Sequence, residues 1–234
     1  MAGTLFLIPT PLGDEATPWL PEPERARVLH ITHFVVEAEK TARKHLKALG
    51  VTTPIRELTL STLNEHTKPA EVAELLQPLA DGHDLGLVSE AGCPAVADPG
   101  AQLVALAHEK GYRVEPLIGP SSILLALMAS GANGQCFAFH GYLPVDAAER
   151  AKAVKELELR SRHRNETQIF IETPYRNNAL LQQLRETLSP ATRLCVAADL
   201  TLPSQTIVSR RVKDWPKEAP DFHKRPALFV IHAG

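Results

Sequence analysis

Short runs of β-forming residues alternate with amphipathic segments through the first 130 residues, and this rhythm most restricts the folds open to the chain. Predicted strands cover residues 4–10, 33–38, 55–60, 84–89 and 113–118. Predicted helices cover 39–49, ended by Gly50, then 69–79, capped by Thr67, then 100–110 and 121–130. Residues 13–24 (GDEATPWLPEPE) are too polar and proline-rich for a regular helix. Strands that alternate with helices are typical of a parallel sheet covered on both faces, so we predict an α/β fold.

The rhythm changes after residues 131–134 (GANG), which we interpret as a linker. Beyond them, predicted strands cover 136–143, 168–172, 193–200, 205–212 and 227–232, and predicted helices cover 146–162 and 175–188. Because strands follow one another near the end, we expect a mixed sheet there. The predicted organisation is an N-terminal α/β domain over 1–118 with a mostly parallel sheet, a connecting helix and linker over 119–134, and a C-terminal α/β domain over 135–234.

Charge and motif content exclude several classes of protein. Lys and Arg total 25 against 27 Asp and Glu, which excludes nucleic-acid binding by bulk positive charge but not by a local basic patch. There is no GxGxxG or GxxxxGK[ST] motif, and the three cysteines are too widely spaced to suggest disulfides or a zinc site. The N-terminal apolar run stops at Pro9, and no apolar stretch approaches the ~20 residues of a membrane span. We expect a cytoplasmic, soluble protein that binds no metal and no membrane.

Three unusual loops follow predicted strands at one edge of the sheet, where ligands bind in open α/β folds. The first contains Pro11 and Gly13, a rigid residue and one that permits a sharp turn. The second, 89–100 (SEAGCPAVADPG), has small residues that let a ligand approach the backbone, although Asp98 also fits a helix cap. The third, 118–122 (IGPSS), opens a helix whose free N–H groups suit a polar ligand. Each also fits an ordinary turn or cap, but together they indicate a pocket rich in backbone donors and acceptors.

In this order, the segments resemble the tetrapyrrole methylase superfamily, the class III S-adenosylmethionine-dependent methyltransferases. The similarity is greatest to the branch that methylates a cytidine ribose 2′-oxygen in small-subunit ribosomal RNA. It is carried by residues 3–14 (GTLFLIPTPLGD), 89–100, 116–131 (PLIGPSSILLALMASG), 137–144 (FAFHGYLP), 172–176 (ETPYR) and 225–234 (RPALFVIHAG). The resemblance implies two α/β domains with the ligand cleft between them, S-adenosylmethionine as the methyl donor, and a homodimer.

The resemblance also implies a donor site built from both halves of the chain. Together with Pro11 and Gly13 of the first loop, the predicted donor residues are Gly92, Cys93, Pro94, Val96, Ser121, Ser122, Leu143, Pro226, Ala227 and Leu228. Small residues and backbone groups suit a flat adenine and a sulfonium, which agrees with the pocket indicated by the three loops.

Methyl transfer from a sulfonium is an in-line displacement that needs no metal, and a ribose hydroxyl acceptor benefits from a general base. The candidates for this base are Glu37, after the second predicted strand, and Glu65 and His66, after the third. The alternatives are a helix cap for Glu37 and a solvated loop for the other two. RNA would also need basic contacts, for which the candidates are Lys40, Arg43, Lys44 and Lys47 on one helix, and Arg160, Arg162 and Arg164.

The acceptor-side segments depart from the ribosomal branch. Residues 198–202 read ADLTL where that branch has Arg-Glu-Leu-Thr-Lys, so both basic residues are lost. Three functions remain open at this point. They are RNA 2′-O-methylation on the small ribosomal subunit, the same chemistry on a small-molecule acceptor, and donor binding without turnover.

Overall fold

A computed structural model describes residues 2–13, 19–64 and 67–234 of the chain. The chain forms two compact units, residues 1–121 and 122–234. Each unit contains one five-stranded sheet with helices packed against it. The predicted α/β fold is therefore confirmed.

The first unit is built around a parallel sheet. In chain order its elements are β1 (Thr4–Ile8), α1 (Glu22–Ala26), β2 (His33–Val36), α2 (Glu39–Leu49), β3 (Thr59–Thr62), α3 (Pro69–Glu74), α4 (Gln77–Ala80), β4 (Leu85–Val88), α5 (Ala101–Glu109) and β5 (Arg113–Pro116). The strand order is β3-β2-β4-β1-β5, and every pair is parallel. Because parallel strands share one carboxyl edge, the loops that follow β1, β2, β4 and β5 emerge on the same side of the sheet.

Strand side chains of the first unit alternate between two apolar layers. Phe6 and Ile8 of β1 belong to one buried cluster together with Phe34 of β2. Leu5, which points the other way, belongs to a second cluster that includes Leu103 of α5. This alternation is what the two-residue period of a strand requires. All four residues of β4 are buried, as expected for a central strand covered on both faces.

Two sequence predictions for this unit are wrong in position. The strand predicted over 55–60 begins instead with a 3₁₀ turn, Ile55–Glu57, which follows Pro54, and β3 lies after that turn. The segment 13–24, predicted to be irregular, contains the start of α1. Pro23 lies in the first turn of that helix, where the missing N–H of proline would have no intrahelical partner in any case.

Of the helices predicted over 39–49 and 69–79, the first is confirmed and the second is corrected. Helix α2 has the predicted bounds, and Gly50 ends it in the left-handed conformation at φ +82. The single helix predicted over 69–79 is instead the two short helices α3 and α4, and Lys68 rather than Thr67 occupies the N-cap of α3. Pro78 lies in the first turn of α4, where proline is tolerated, whereas it would break a continuous helix.

The second unit has a mixed sheet. In chain order its elements are α6 (Ser122–Ser130), β6 (Phe137–Tyr142), α7 (Ala147–Arg164), β7 (Thr167–Ile171), α8 (Asn177–Thr187), β8 (Arg193–Ala198), β9 (Thr206–Arg211) and β10 (Ala227–His232). The strand order is β6-β7-β10-β8-β9, with β6 and β7 parallel and the other pairs antiparallel. Helix α6 packs against β8, β9 and β10. The core includes the stacked rings of Phe170 and Phe229, whose centroids are 6.0 Å apart.

Helix α7 has a defined start and end. The Asp146 carboxylate caps it by accepting hydrogen bonds from the N–H groups of Ala148 and Glu149, each at 2.9 Å. Asn165 ends it in the left-handed conformation. Neither this helix nor any other within the described parts of the chain combines the length and apolar composition needed to cross a bilayer.

Candidate functional site

Three loops meet at the carboxyl edge of the first unit's sheet. The Thr10 N–H, after β1, donates to the carbonyl of Gly92, after β4, at 2.9 Å, and the Gly92 N–H donates back to the Thr10 carbonyl at 3.1 Å. The Cys93 thiol donates to the carbonyl of Pro120, after β5, at 3.4 Å. Cys93 also forms a hydrogen bond with Ser121, while burial raises the pKa of its thiol. The structure thus brings together the three loops in which the sequence predicts donor residues of this unit.

Gly92 lies close to both of the other loops. Its φ is +78, and a Cβ at this position would lie 3.2 Å from Leu12 Cδ2 and 3.7 Å from the Pro120 carbonyl oxygen. Pro11 and Gly13, which flank Leu12, are both partly exposed. The left-handed backbone and the close neighbours together explain why a residue without a side chain occupies position 92.

The rest of the 89–100 loop is held in an unusual backbone conformation. Ala95 and Ala97 both have φ of +64, which costs a non-glycine residue of order 1–3 kcal/mol and persists only where the surroundings enforce it. Between them, Val96 is 47% exposed, whereas the preceding Pro94 is buried. Backbone strain of this kind clusters at ligand sites, and here it coincides with the predicted donor loop.

Three carboxyl groups lie close together at the same edge. Glu37 follows β2, Glu90 follows β4, and Asp98 lies shortly before α5. Burial and the negative charge of Glu90 raise the pKa of Glu37, with a backbone hydrogen bond from Glu90 acting in the opposite direction. Burial, followed by the charges of Glu37 and Glu90, raises the pKa of Asp98 to about 6. Because neighbouring negative charges oppose the ionisation of Glu37 and Asp98, a bound cation would stabilise the charged forms of these two groups.

The helix-cap explanations for these acids do not hold in the structure. Ala38 occupies the N-cap of α2, and no side chain caps that helix, so Glu37 is not its cap. Gly100 occupies the N-cap of α5, again without a side-chain cap bond, so Asp98 is not a cap either. Glu37 Oε2 is buried and has no hydrogen-bond partner among the described residues. The helix-cap alternative is therefore wrong for both acids, and the proximity of Asp98 to Glu37 is a feature that the sequence pattern does not reveal.

The other predicted catalytic and basic residues have less defined roles. Glu65 and His66 lie outside the described residues. Lys40 and Lys47 of α2 are exposed, whereas the Arg43 guanidinium is 2.9 Å from the Glu39 carboxylate. The remaining arginines predicted to contact RNA lie near the end of α7, where Arg160 pairs with Glu166 and Arg162 donates to the Ser189 hydroxyl.

In the second unit, four predicted donor residues share one end of the sheet: Leu143, Pro226, Ala227 and Leu228. Leu143 directly follows β6, and the other three form the start of β10 or directly precede it. Leu228 lies opposite Ile171, at the end of β7, and Ala227 lies opposite Ala198, at the end of β8. Pro226 is exposed while the other three are buried. Ser122 is the first residue of α6 in this unit.

Arg225 joins the segments at this end of the sheet. Its Nε donates to Asp199 Oδ2 at 2.7 Å, and its Nη2 donates to the Ser204 carbonyl at 2.7 Å and the Thr206 hydroxyl at 2.8 Å. Asp199 has φ of +51 and is 8% exposed, and its N–H donates to the Pro226 carbonyl at 2.9 Å. In the sequence, Asp199 lacks the flanking basic residues of the ribosomal branch. The sequence does not reveal that Arg225, which is distant along the chain, supplies a cation beside Asp199.

Comparisons with known proteins agree with this architecture. Over residues 24–215 the chain matches the model of the family described as Tetrapyrrole (Corrin/Porphyrin) Methylases. It is 32% identical over 223 residues to the Ribosomal RNA small subunit methyltransferase I of Pseudomonas aeruginosa, covering 92% of this chain and 73% of that protein. It is 30% identical over 236 residues to the protein of the same name from Escherichia coli O157:H7, covering 98% of this chain and 77% of that protein.

Solved structures show the same fold. The crystal structure of the methyltransferase CobJ matches with a TM-score of 0.65 and 20% identity, over 99% of this chain and 94% of that one. The uroporphyrin-III-C-methyltransferase from Thermus thermophilus matches with a TM-score of 0.55 and 20% identity, over 100% of this chain and 93% of that one.

The fold and these matches define an α/β methyltransferase that uses S-adenosylmethionine as its methyl donor. More particularly, the chain belongs to the tetrapyrrole methylase family, as the sequence motifs predict.

Proposed function

We propose that the protein transfers a methyl group from S-adenosylmethionine to RNA, at the ribose 2′-oxygen of a cytidine in small-subunit ribosomal RNA or a related target. The observation that carries the proposal is the similarity, over nearly the whole chain, to proteins named Ribosomal RNA small subunit methyltransferase I. The structures that match at 20% identity support the fold alone and do not bear on the acceptor.

We infer that the donor is held by the twelve predicted residues, from Pro11 to Leu228. The carboxyl edge of the first unit fits this donor in two respects. Its three acids, Glu37, Glu90 and Asp98, provide the negative charge that a sulfonium favours. The 89–100 loop provides a half-exposed Val96 and a glycine backbone at Gly92 that a flat ligand can approach closely.

In the proposed mechanism, bound S-adenosylmethionine supplies a methyl group on a positively charged sulfur. Glu37 accepts the proton of the ribose hydroxyl as that oxygen attacks. Its unpartnered, buried Oε2 leaves an acceptor position for this proton, and its raised pKa makes it a stronger base than an exposed glutamate. The loops that carry Gly92 and Pro120 hold the reacting groups in line, and such alignment supplies much of the rate in a displacement reaction.

Donor affinity should depend on the ionisation of Asp98. Because its pKa is raised to about 6, the carboxyl group is neutral below that pH and attracts a sulfonium only above it. We expect the Kd for S-adenosylmethionine, measured by calorimetry, to fall by up to about tenfold between about pH 5 and pH 7. S-adenosylhomocysteine has no charge on sulfur and should show a smaller change. The Asp98→Asn variant should remove the difference between the two ligands, and equal pH dependence in the wild type would contradict this assignment.

The proposed function is tested by methyl transfer to under-modified small ribosomal subunits, with label in the methyl group of the donor. The wild type should label the RNA, and nuclease digestion should recover the label in a 2′-O-methylated cytidine. Glu37→Gln should lower the transfer rate by about 100-fold or more, because an amide cannot accept the proton. Glu39→Gln is the matched control: Glu39 is two residues away and exposed, and its carboxylate pairs with Arg43, so its rate should stay near that of the wild type.

Other results would replace the proposal. Donor binding without label in RNA, but with transfer to a tetrapyrrole precursor, would assign a small-molecule acceptor. Donor binding without transfer to either would leave a donor-binding protein that has lost turnover. A normal rate for Glu37→Gln would exclude Glu37 as the base.

We further propose that the protein acts as a homodimer in the cytoplasm, as membership of the family implies. Leu124 and Met128 support the assembly because they lie one turn apart on α6 and are 50% and 79% exposed. Exposed apolar side chains grouped on one helix face are typical of a surface that another chain covers.

A further inference from the structure

An exposed aromatic ring with two basic side chains next to it lies near the end of the second unit's sheet that carries the inferred donor residues. Tyr175, in the turn between β7 and α8, is 69% exposed. The His223 ring lies edge-on to it, with centroids 5.8 Å apart, and the Lys224 ammonium lies 5.9 Å from the centroid of the tyrosine ring. We call these three residues the Tyr175 platform.

The backbone of the platform is fixed by hydrogen bonds, although its side chains are exposed. The Lys224 N–H donates to the Pro174 carbonyl at 3.0 Å, which joins the two segments of the platform. On the other side of His223, the Phe222 N–H donates to Asn178 Oδ1 at 2.9 Å. The Asn177 side-chain amide donates to the Arg225 carbonyl at 2.7 Å. Because this backbone is already ordered, ligand binding at the platform costs little conformational entropy of the protein.

The Tyr175 platform lies close in sequence to the inferred donor residues of the second unit. Tyr175 follows β7, whose last residue, Ile171, lies opposite Leu228 of the inferred donor site. Lys224 precedes Pro226, another residue of that site, by two positions. The platform and the inferred donor residues of this unit thus share one end of the sheet.

We propose that the Tyr175 platform binds single-stranded RNA by stacking one base on the tyrosine ring, with Lys224 and His223 beside the adjoining phosphate. Proteins recognise unpaired RNA by stacking bases on aromatic side chains that lie next to basic groups. The ring supplies an exposed π-face, and the ammonium supplies the positive charge that the overall net charge of −2 does not. This inference rests on the proposed function, since it requires that the acceptor be RNA.

The experiment measures binding of a short, fluorescently labelled pyrimidine RNA by anisotropy. Base stacking on an aromatic side chain contributes to the binding affinity for RNA. Because Tyr175→Ala removes the ring, we expect this variant to raise the Kd for the RNA about tenfold. Tyr175→Phe, which keeps the ring, should bind like the wild type. Phe137→Ala is the control, because Phe137 is also a partly exposed aromatic residue but begins β6 at the opposite end of the sheet, and this variant should bind normally.

A second probe separates stacking from charge. An abasic oligonucleotide of the same length keeps the phosphates, so the wild type and Tyr175→Ala should bind it equally, whereas Lys224→Ala should weaken the binding of both probes. Donor affinity should be unchanged in Tyr175→Ala, which also shows that the variant is folded.

The outcomes distinguish this inference from the proposed function. If the wild type neither binds nor methylates RNA, both fail. If the wild type methylates RNA and Tyr175→Ala binds the RNA probe normally, the platform alone is excluded. Equal weakening of the two probes by Tyr175→Ala would also exclude stacking.

Discussion

Replacing Gly92 with valine should weaken S-adenosylmethionine binding by about 100-fold or more. Position 92 has φ of +78, which costs a β-branched residue about 1–3 kcal/mol, and its Cβ would lie 3.2 Å from Leu12 Cδ2. The valine methyl groups would separate the loops that Thr10 and Gly92 join through their paired backbone hydrogen bonds. Calorimetry with the donor measures the effect, and circular dichroism reports whether the variant is folded.

Gly111→Val provides a matched control for the backbone strain. Gly111 follows α5 with φ of +76, nearly the same φ as Gly92, but a Cβ there has no atom within 4 Å among the described residues. This variant should lose stability from strain while its donor affinity stays at the wild-type level. If Gly92→Val loses no more affinity than Gly111→Val, the inferred donor site does not include the 89–100 loop.

The parts of the fold that depend on local pattern can be predicted from sequence. Helix α2 has an apolar face and a terminal glycine, and the sequence predicts it with its observed bounds. The strand predicted over 55–60 fails because the short segment IRELTL fits a strand as well as it fits a turn followed by a strand. The residues after Pro54 form that turn, and only pairing with β2 shows where β3 starts.

For the candidate site too, the features that depend on local sequence can be predicted, and those that depend on contacts between distant residues cannot. Glycine and proline mark the loops around Gly92 and Pro120 because their backbone preferences are local properties. The grouping of Glu37 with Glu90 and Asp98 is not local, since Glu37 follows β2 while the other two lie in the loop after β4, and the β2-β4 pairing brings these two segments together. The raised pKa values of Glu37 and Asp98 come from burial and from this proximity, neither of which a linear sequence displays.

Replacing Arg225 with methionine should destabilise the second unit by about 3 kcal/mol, because it leaves the Asp199 carboxylate buried without its cation. The side chains of Arg225 and Asp199 are only 22% and 9% exposed, so solvent replaces little of the lost interaction. The hydrogen bonds to Ser204 and Thr206 are lost at the same time. Urea denaturation measures the free energy of unfolding, and the thermal midpoint should fall by roughly 6–12 °C.

A double-mutant cycle with Asp199→Asn tests whether the ion pair causes this loss. An amide at position 199 carries no charge, so Arg225→Met should cost less in that background than in the wild type. Arg56→Met is the control for removal of an arginine as such, because Arg56 is 86% exposed and its pair with Glu57 should contribute at most about 1 kcal/mol. Additive effects of the two substitutions would show that Arg225 acts through its other contacts, such as the hydrogen bonds to Ser204 and Thr206. A clear coupling would instead show that this distant cation neutralises Asp199, where the ribosomal branch has flanking basic residues.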